Sequence, residues 1–516
     1  MSTSHDVVIV GGGHNGLAAA AYLARAGRTV LLLERQEELG GATVSADAFD
    51  GMGARLSRYS YLVSLLPRRV VEDLGLRLRL ARRRYSSYTP VPGGDVGLLV
   101  DGEDARATAR SFAAIGAAGD AEPWAEFYAR TARLARAVWP TMTEPLLRRS
   151  EMVRRVGDRG LVEDFLVRPL GEVVERTFDH DLVRGVVLTD GLISTFASAH
   201  ESDLRQNVCF LYHVVGGGTG DWDVPVGGMG EVSGQLAAVA RRAGAELRTG
   251  ATVVGVEEGA VTWTDAEGRS HRATARDVLW AAAPALLDRL MGVEGDRVEG
   301  AQVKVNLLLS RLPRVREAGV RPEAAFGGTL HVNETYSQLE TAHRDASAGR
   351  VPAPLPAEIY CHSITDPSIL SPWLRERGAH TLTVFTLQTP DRLLDGAEAG
   401  PVRDRLQQAV LDSLDSVLAE PLEDVILRRP DGTLCVETKT TRDLESALAM
   451  PGGNIFHGPL SWPWAEDDTP LETPAQRWGV QTPYAGILLA GAGSRRGGGV
   501  SALGGYHAAR AVLQSS

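Results

Sequence analysis

An apolar run from Asp6 to Val10 leads into Gly11-Gly12-Gly13-His14-Asn15-Gly16, an alanine-rich helical stretch, a second apolar run and then Glu34. Each residue type in this pattern answers a separate steric or electrostatic need. Gly11 permits the tight turn out of the first strand, Gly13 lets the backbone approach a pyrophosphate, and Gly16 lets the following helix pack closely on a sheet. A diphosphate then meets the free N–H groups and positive dipole end of that helix, so His14 and Asn15 join the predicted binding set. Residues 15–26 supply the helix, Gly27 ends it, and Thr29 to Leu33 reads as a parallel strand buried on both faces. Glu34 lies 23 positions after Gly11, where a carboxylate accepts a hydrogen bond from a ribose 2′-OH. Its charge repels a 2′-phosphate, which argues against NADP; NAD and FAD both remain compatible with this stretch alone.

A chain of 516 residues exceeds one simple core, so two domains are expected. The net charge of −11 argues against a nucleic-acid partner. Cys209, Cys361 and Cys435 are far apart and form no C-x-x-C, which excludes a local redox disulfide and a cysteine-rich zinc site. No metal site is expected. No uninterrupted apolar segment reaches about 18 residues and no secretory signal precedes the first strand, so a cytoplasmic protein without a transmembrane segment is expected. Peripheral membrane contact and homo-oligomerisation stay open.

Later segments extend the pattern. Gly40-Gly41, followed by Ala42, resembles the doublet after the second strand in glutathione-reductase-type FAD folds, where side chains would obstruct the cofactor. The chain then reads as basic and helical to about residue 84, and 103–187 as mainly helical, punctuated by Pro123, Pro140, Pro145 and Pro169. A helix from Glu231 to Ala243, a strand from Thr252 to Glu257, a hairpin over 259–273 and the apolar run Asp277 to Pro284 suggest a return to the cofactor domain. Strand signals recur at Val303 to Leu309 and Leu382 to Gln388. Near the end, Gly486 to Gly493 gives one more buried strand, and Gly497-Gly498-Gly499-Val500-Ser501 is expected to open a last helix.

With these residues in view, the chain resembles the phytoene-desaturase-like branch of FAD-dependent amine-oxidase-type proteins, and within it the branch of pyridine nucleotide-disulfide oxidoreductase domain-containing protein 2. The resemblance rests on the fingerprint, on Leu56 to Leu66, on Gly227-Gly228-Met229-Gly230, on Gly328-Thr329-Leu330-His331-Val332-Asn333-Glu334 and on Gly491 to Gly505. It implies an α/β fold, α+β overall: a glutathione-reductase-type Rossmann FAD domain interleaved with a mixed sheet-and-helix substrate domain. The expected boundaries are 1–75, 216–300 and 475–516 for FAD, and 76–215 and 301–474 for substrate, the latter with a helical segment. Carried over residue by residue, Gly11, Gly13 and Gly16 match diphosphate contacts, Glu34 the ribose contact, and Arg35 a cover for the adenine. Val253 and Ala283 match strand ends that meet the nucleotide. Gly493, Gly499 and Val500 match the approach of the last helix to the flavin. Ser494-Arg495-Arg496 departs from desaturase relatives, which often carry His-Pro there, and weakens any transfer of substrate.

No second Rossmann fingerprint for NAD(P)H is present, so electrons are expected to leave FAD for oxygen, a quinone or a protein acceptor, unless a nicotinamide binds transiently. The flavin performs the hydride chemistry, and the protein orients substrate and manages protons. His213 and His457 are candidate bases, each with a packing role as the alternative. Arg58 and Tyr61 are candidates for binding an anionic substrate group or lining the flavin; Trp462 and Trp464 are candidates for the wall of an apolar tunnel. The leading expectation is dehydrogenation of a C–C or C–N bond in a largely apolar or extended small molecule. The alternatives are a redox-neutral isomerase or saturase, and an FAD-holding interaction protein without turnover.

Overall fold

The first strand, Ser2–Val10, sits at the centre of a sheet and pairs in parallel with Val30–Leu33 on one side and Ser270–Trp280 on the other. Glu246–Arg248 continues the sheet beyond Val30–Leu33, and Ile487–Leu489 continues it beyond Ser270–Trp280, both in parallel. The leading half of Ser270–Trp280 carries the antiparallel strands Ala260–Thr264 and Thr252–Glu257 instead. Five parallel strands from three distant stretches of chain thus form one layer. This computed structural model describes residues 2–396 and 399–515.

Helices cover one face of the parallel layer, and the antiparallel strands Thr252–Glu257 and Ala260–Thr264 with the short helix Pro284–Leu290 cover the other, which is why its strands are apolar without alternation: all four residues of Val30–Leu33 are buried. The fingerprint helix, His14–Arg25, packs between the helices Gly230–Arg242 and Leu503–Gln514. Ala18, Ala19, Ala20 and Ala21 are fully buried there, because only small side chains allow so close an approach. A Cβ on Gly505 would stand 1.8 Å from the Asn15 carbonyl oxygen, and one on Gly16 would stand 2.0 Å from that of Gly11.

A second, seven-stranded sheet runs in the order Val436–Lys439, Lys304–Leu309, His380–Thr386, Ala357–Tyr360, Thr329–Val332, Tyr85–Pro90, Gly97–Asp101. Its residues alternate between faces. One face buries Val305, Leu307, Val384, Ile359 and Leu330 with Val402, Leu406 and Val410 of the helix Ala399–Asp415. On the other face the register sets Lys304, Phe385, Glu358 and His331 side by side across four strands. Tyr360 and Thr329 form the adjoining pair on that face.

The expected helical region contains Ala105–Ala114, Ala121–Val138, Arg149–Val156, Leu170–Thr177 and Asp181–Thr189, followed by Arg205–Val214. Pro123 falls in the first turn of its helix, where the missing N–H is not needed, so it starts that helix rather than separating two.

Two expectations are corrected. The helical reading to residue 84 holds only for Arg68–Leu74, which Gly75 ends at φ +66°. Tyr85–Pro90 and Gly97–Asp101 form a local hairpin, which docks on the second sheet through Thr329–Val332 and buries Tyr88 and Thr89 there. The last helix begins at Leu503, not at the glycine run, because Gly499 and Ala502 take φ of +69° and +59°. Its N-terminal dipole therefore does not fall at Gly499 and Val500.

Because the Asn15 carbonyl is backbone and cannot swing aside, Gly505→Ala should destabilise the protein by about 2 kcal/mol or more. Chemical denaturation would measure it. A Gly268→Ala control, at an exposed turn where a Cβ meets nothing, should cost about 1 kcal/mol from its φ of +78° alone.

Candidate active site

One cavity of about 750 Å³ extends from the glycine fingerprint to the charged row on the second sheet. At the fingerprint end Gly11 turns with φ +106°. A Cβ on Gly13 would meet nothing nearer than the Gly40 oxygen at 4.0 Å, so that backbone faces open space. Glu34 is held by two backbone donors: Gly12 N–H to Oε2 at 2.7 Å and Gln36 N–H to Oε1 at 2.8 Å. The Gly40 N–H donates to the Gly12 carbonyl at 2.8 Å, which seats the glycine doublet against the fingerprint. His14 bridges Thr43 Oγ1 at 3.0 Å and the Gly499 carbonyl at 3.2 Å, and burial pushes its pKa down to about 4.

Most of the sequence-predicted cofactor residues line this cavity: Gly11, Gly13, His14, Asn15, Glu34, Arg35, Gly41, Ala42, Val253, Gly499 and Val500. Gly16, Gly40, Ala283 and Gly493 stand behind the lining. Gly16 admits the Gly11 backbone and Gly40 the side chains of Val44 and Ser233, Ala283 accepts from Trp280 Nε1 at 2.8 Å, and a Cβ on Gly493 would reach Pro284 at 2.5 Å. Arg35 donates to the Ala447 carbonyl at 2.8 Å, joining the mouth to the end of the helix Thr441–Leu448 and the two residues after it, a segment that sequence reading did not implicate.

Of the proton-handling candidates, His213, His457 and Tyr61 line the cavity and Arg58 does not. The His213 ring stacks on Trp222 at 5.0 Å, and its Nδ1 lies 3.3 Å from the Cys209 carbonyl. Burial lowers its pKa against the opposing pull of Asp190. Burial likewise lowers that of His457 to about 4, so neither ring holds a proton readily at neutral pH. Burial keeps the Tyr61 hydroxyl protonated by raising its pKa well above the usual value. Arg58 is spent on Glu437, 2.6 Å away, a carboxylate that also accepts from Asn306 at 3.0 Å. Trp462 and Trp464 stack on each other at 5.1 Å outside the cavity lining. The aromatic walls are supplied instead by Trp124, Tyr128, Tyr212, Trp222 and Phe385.

Sequence reading missed the charged groups of the second sheet. Lys304 is buried, with Nζ donating to the carbonyls of Ser57 at 2.9 Å and Tyr59 at 2.7 Å and standing 5.0 Å over the Tyr61 ring. Burial pushes its pKa down to about 7. Glu358 accepts from the Tyr360 hydroxyl, and burial followed by the nearby Glu334 pushes its pKa up to about 7. Arg83 donates to Thr329 Oγ1 at 3.2 Å and lies 5.8 Å from the Tyr360 ring centre. One signal for this wall was available: Lys304 is one of only two lysines among 54 basic residues, and it opens a strand with a polar residue at alternate positions, Lys304 and Asn306.

A profile described as an NAD(P)-binding Rossmann-like domain matches residues 9–68. Across 520 residues the chain is 52% identical to the uncharacterized protein Rv0897c of Mycobacterium tuberculosis, covering 98% of this chain and 97% of that protein. With pyridine nucleotide-disulfide oxidoreductase domain-containing protein 2 of Mus musculus it shares 27% identity over 573 residues, covering 100% and 94%. The chain belongs to their family. Its fold is that of the amine oxidases: a putrescine oxidase variant superimposes with a TM-score of 0.60 at 16% identity over 100% of both chains. Cyclohexylamine oxidase from Brevibacterium oxydans gives 0.57 at 16% identity, covering 99% of this chain and 98% of its own. Among the described residues no helix is long and apolar enough to cross a membrane.

The pairing of Arg58 with Glu437 carries a direct test. A double-mutant cycle with Arg58→Ala and Glu437→Ala should give a coupling of about 1 kcal/mol in unfolding free energy, shrinking as salt is raised because Arg58 is partly exposed. Zero coupling at low salt would free Arg58 for a role in ligand binding.

Proposed function

We propose that the protein is an FAD-dependent oxidoreductase that removes hydrogen from a C–C or C–N bond of a small molecule and passes the electrons to oxygen or another acceptor. The observation that carries this reading is the continuity of the cavity: one end has the steric form of a dinucleotide cradle, and the other is a largely apolar chamber with a polar wall. The cradle fits the cofactor. Gly13 leaves its backbone open where a diphosphate would lie. Glu34, fixed by Gly12 and Gln36, would receive the ribose, with Arg35 and Val253 beside the adenine and Gly41, Ala42, Gly499 and Val500 along the chain toward the flavin. In this reading 1–75, 216–300 and 475–516 hold the cofactor, and 76–215 and 301–474 build the chamber. Bound there, FAD supplies a two-electron acceptor for hydride.

The chain's own part is to orient substrate, exclude water and take up a proton. Tyr128, Val186, Ile193 and Phe385 give the chamber an apolar body that suits an apolar or extended substrate. Lys304 is the best-placed proton acceptor. Two of the three positions around Nζ are committed to the Ser57 and Tyr59 carbonyls, so in the neutral amine the third is a lone pair available to the cavity it lines. The groups around it oppose one another: Glu437 favours the ammonium, while burial and Lys439 favour the amine. His362 is nearby and burial keeps it neutral.

Purified protein should carry a flavin absorbance spectrum, and released cofactor should run as FAD. Gly13→Val should abolish both while the fold, read by circular dichroism, persists. Anaerobic mixing with amine or alkene candidates should bleach the flavin; isomer formation without bleaching would replace dehydrogenation with redox-neutral chemistry. An amine with a pKa near 7 is neutral above that pH and charged below it, so the flavin-reduction rate should fall as pH drops through about 7. Lys304→Met should remove that limb and slow reduction by about 10²-fold or more. A profile unchanged in Lys304→Met would assign proton uptake elsewhere.

A further inference from the structure

The polar wall of the chamber holds a group that hydride removal does not require. His331 and Glu358 are directly opposite each other on paired antiparallel strands and so share one face. Asn333, at φ +56°, turns the chain just after His331 and is anchored by its side-chain nitrogen to Ser413 Oγ at 2.7 Å. That turn returns Glu334 toward His331, with Oε2 2.7 Å from Nδ1. All three residues are buried, and one donor atom from each lies within 4.8 Å of the others. Glu334 is fully buried, yet its Oε1 has no hydrogen-bond partner, an open acceptor within the cluster.

We propose that His331, Glu334 and Glu358 form a binding site for a divalent transition-metal cation at the far wall of the chamber. Tetrahedral bonds of about 2.0–2.2 Å place two ligands of one ion about 3.3–3.6 Å apart, so three donors within 4.8 Å of one another converge with side-chain shifts of up to about an ångström. Two carboxylates with a neutral imidazole balance a charge of two, and one nitrogen with two oxygens suits manganese, iron or zinc better than calcium, which takes more oxygens. The Tyr360 hydroxyl and Thr189 Oγ1, 3.4 Å away, orient Glu358 from outside the cluster. His331 and Glu358 line the cavity, which provides access for the ion and free positions for water or a substrate oxygen. This inference does not depend on which bond is oxidised.

The test is calorimetric titration of the full-length, chelator-stripped protein with Zn²⁺ and, separately, Mn²⁺. One equivalent of either should bind, and Glu334→Gln and His331→Ala should each weaken it at least about 10-fold. Flavin absorbance on the same samples reports cofactor retention independently, so loss of metal binding and loss of the cofactor reading are separable. Should a variant fail to fold, pulsed electron paramagnetic resonance of Mn²⁺ bound to the unmodified protein should reveal modulation from a histidine nitrogen. Absence of binding, binding unaltered in both variants, or bound Mn²⁺ without nitrogen modulation would each overturn the site. Thermal stabilisation by methylammonium in excess chelator, with no heat from either metal, would assign the acids to an organic cation and overturn it equally.

Discussion

The contact on which the rest of the structure depends is the seating of the His14–Arg25 helix between the parallel sheet and the Leu503–Gln514 helix. Its closeness is set by hydrogen atoms: at Gly16 and Gly505 there is room for nothing larger against backbone oxygens at 2.0 and 1.8 Å from a hypothetical Cβ. That seam joins the two ends of a chain of 516 residues and fixes where the fingerprint turn faces. Small residues favour it twice over, since they permit approach and lose little side-chain entropy on burial.

The second sheet works by a different constraint. Strand register, not close packing, decides that Lys304, Phe385, Glu358 and His331 stand in one row, and a slip of one residue would bury them among Val305, Val384, Ile359 and Leu330. The apolar face therefore holds the charged face in place. Burying so many titratable groups along one cavity is costly, and the cost appears as displaced pKa values: Lys304 and Glu358 both near 7, from opposite directions. Such opposed shifts are typical of sites that move protons or bind ions.

The fingerprint, the helix after it, the Thr252–Glu257 strand and the return near the C-terminus were all legible because their signals are local: glycines at turns, apolar runs, and a carboxylate at a strand end. Local signals failed where long-range contacts decide. The hairpin Tyr85–Pro90 and Gly97–Asp101 joins the second sheet by pairing with Thr329–Val332, more than two hundred residues away, and Arg58 stands outside the cavity lining, held by Glu437. The last helix started late because two left-handed residues, Gly499 and Ala502, precede it, and no residue pattern announced the second.

What the sequence determined by itself was the glycine-lined end of the cavity, since a cradle built from absent side chains is written in the glycines. What only the tertiary structure decided was the opposite wall. Lys304, His331 and Glu358 are scattered over fifty residues and look like ordinary polar positions of separate strands. They acquire chemistry only when cross-strand register faces them onto one cavity and burial shifts their charge states, neither of which is a property of any short stretch of chain.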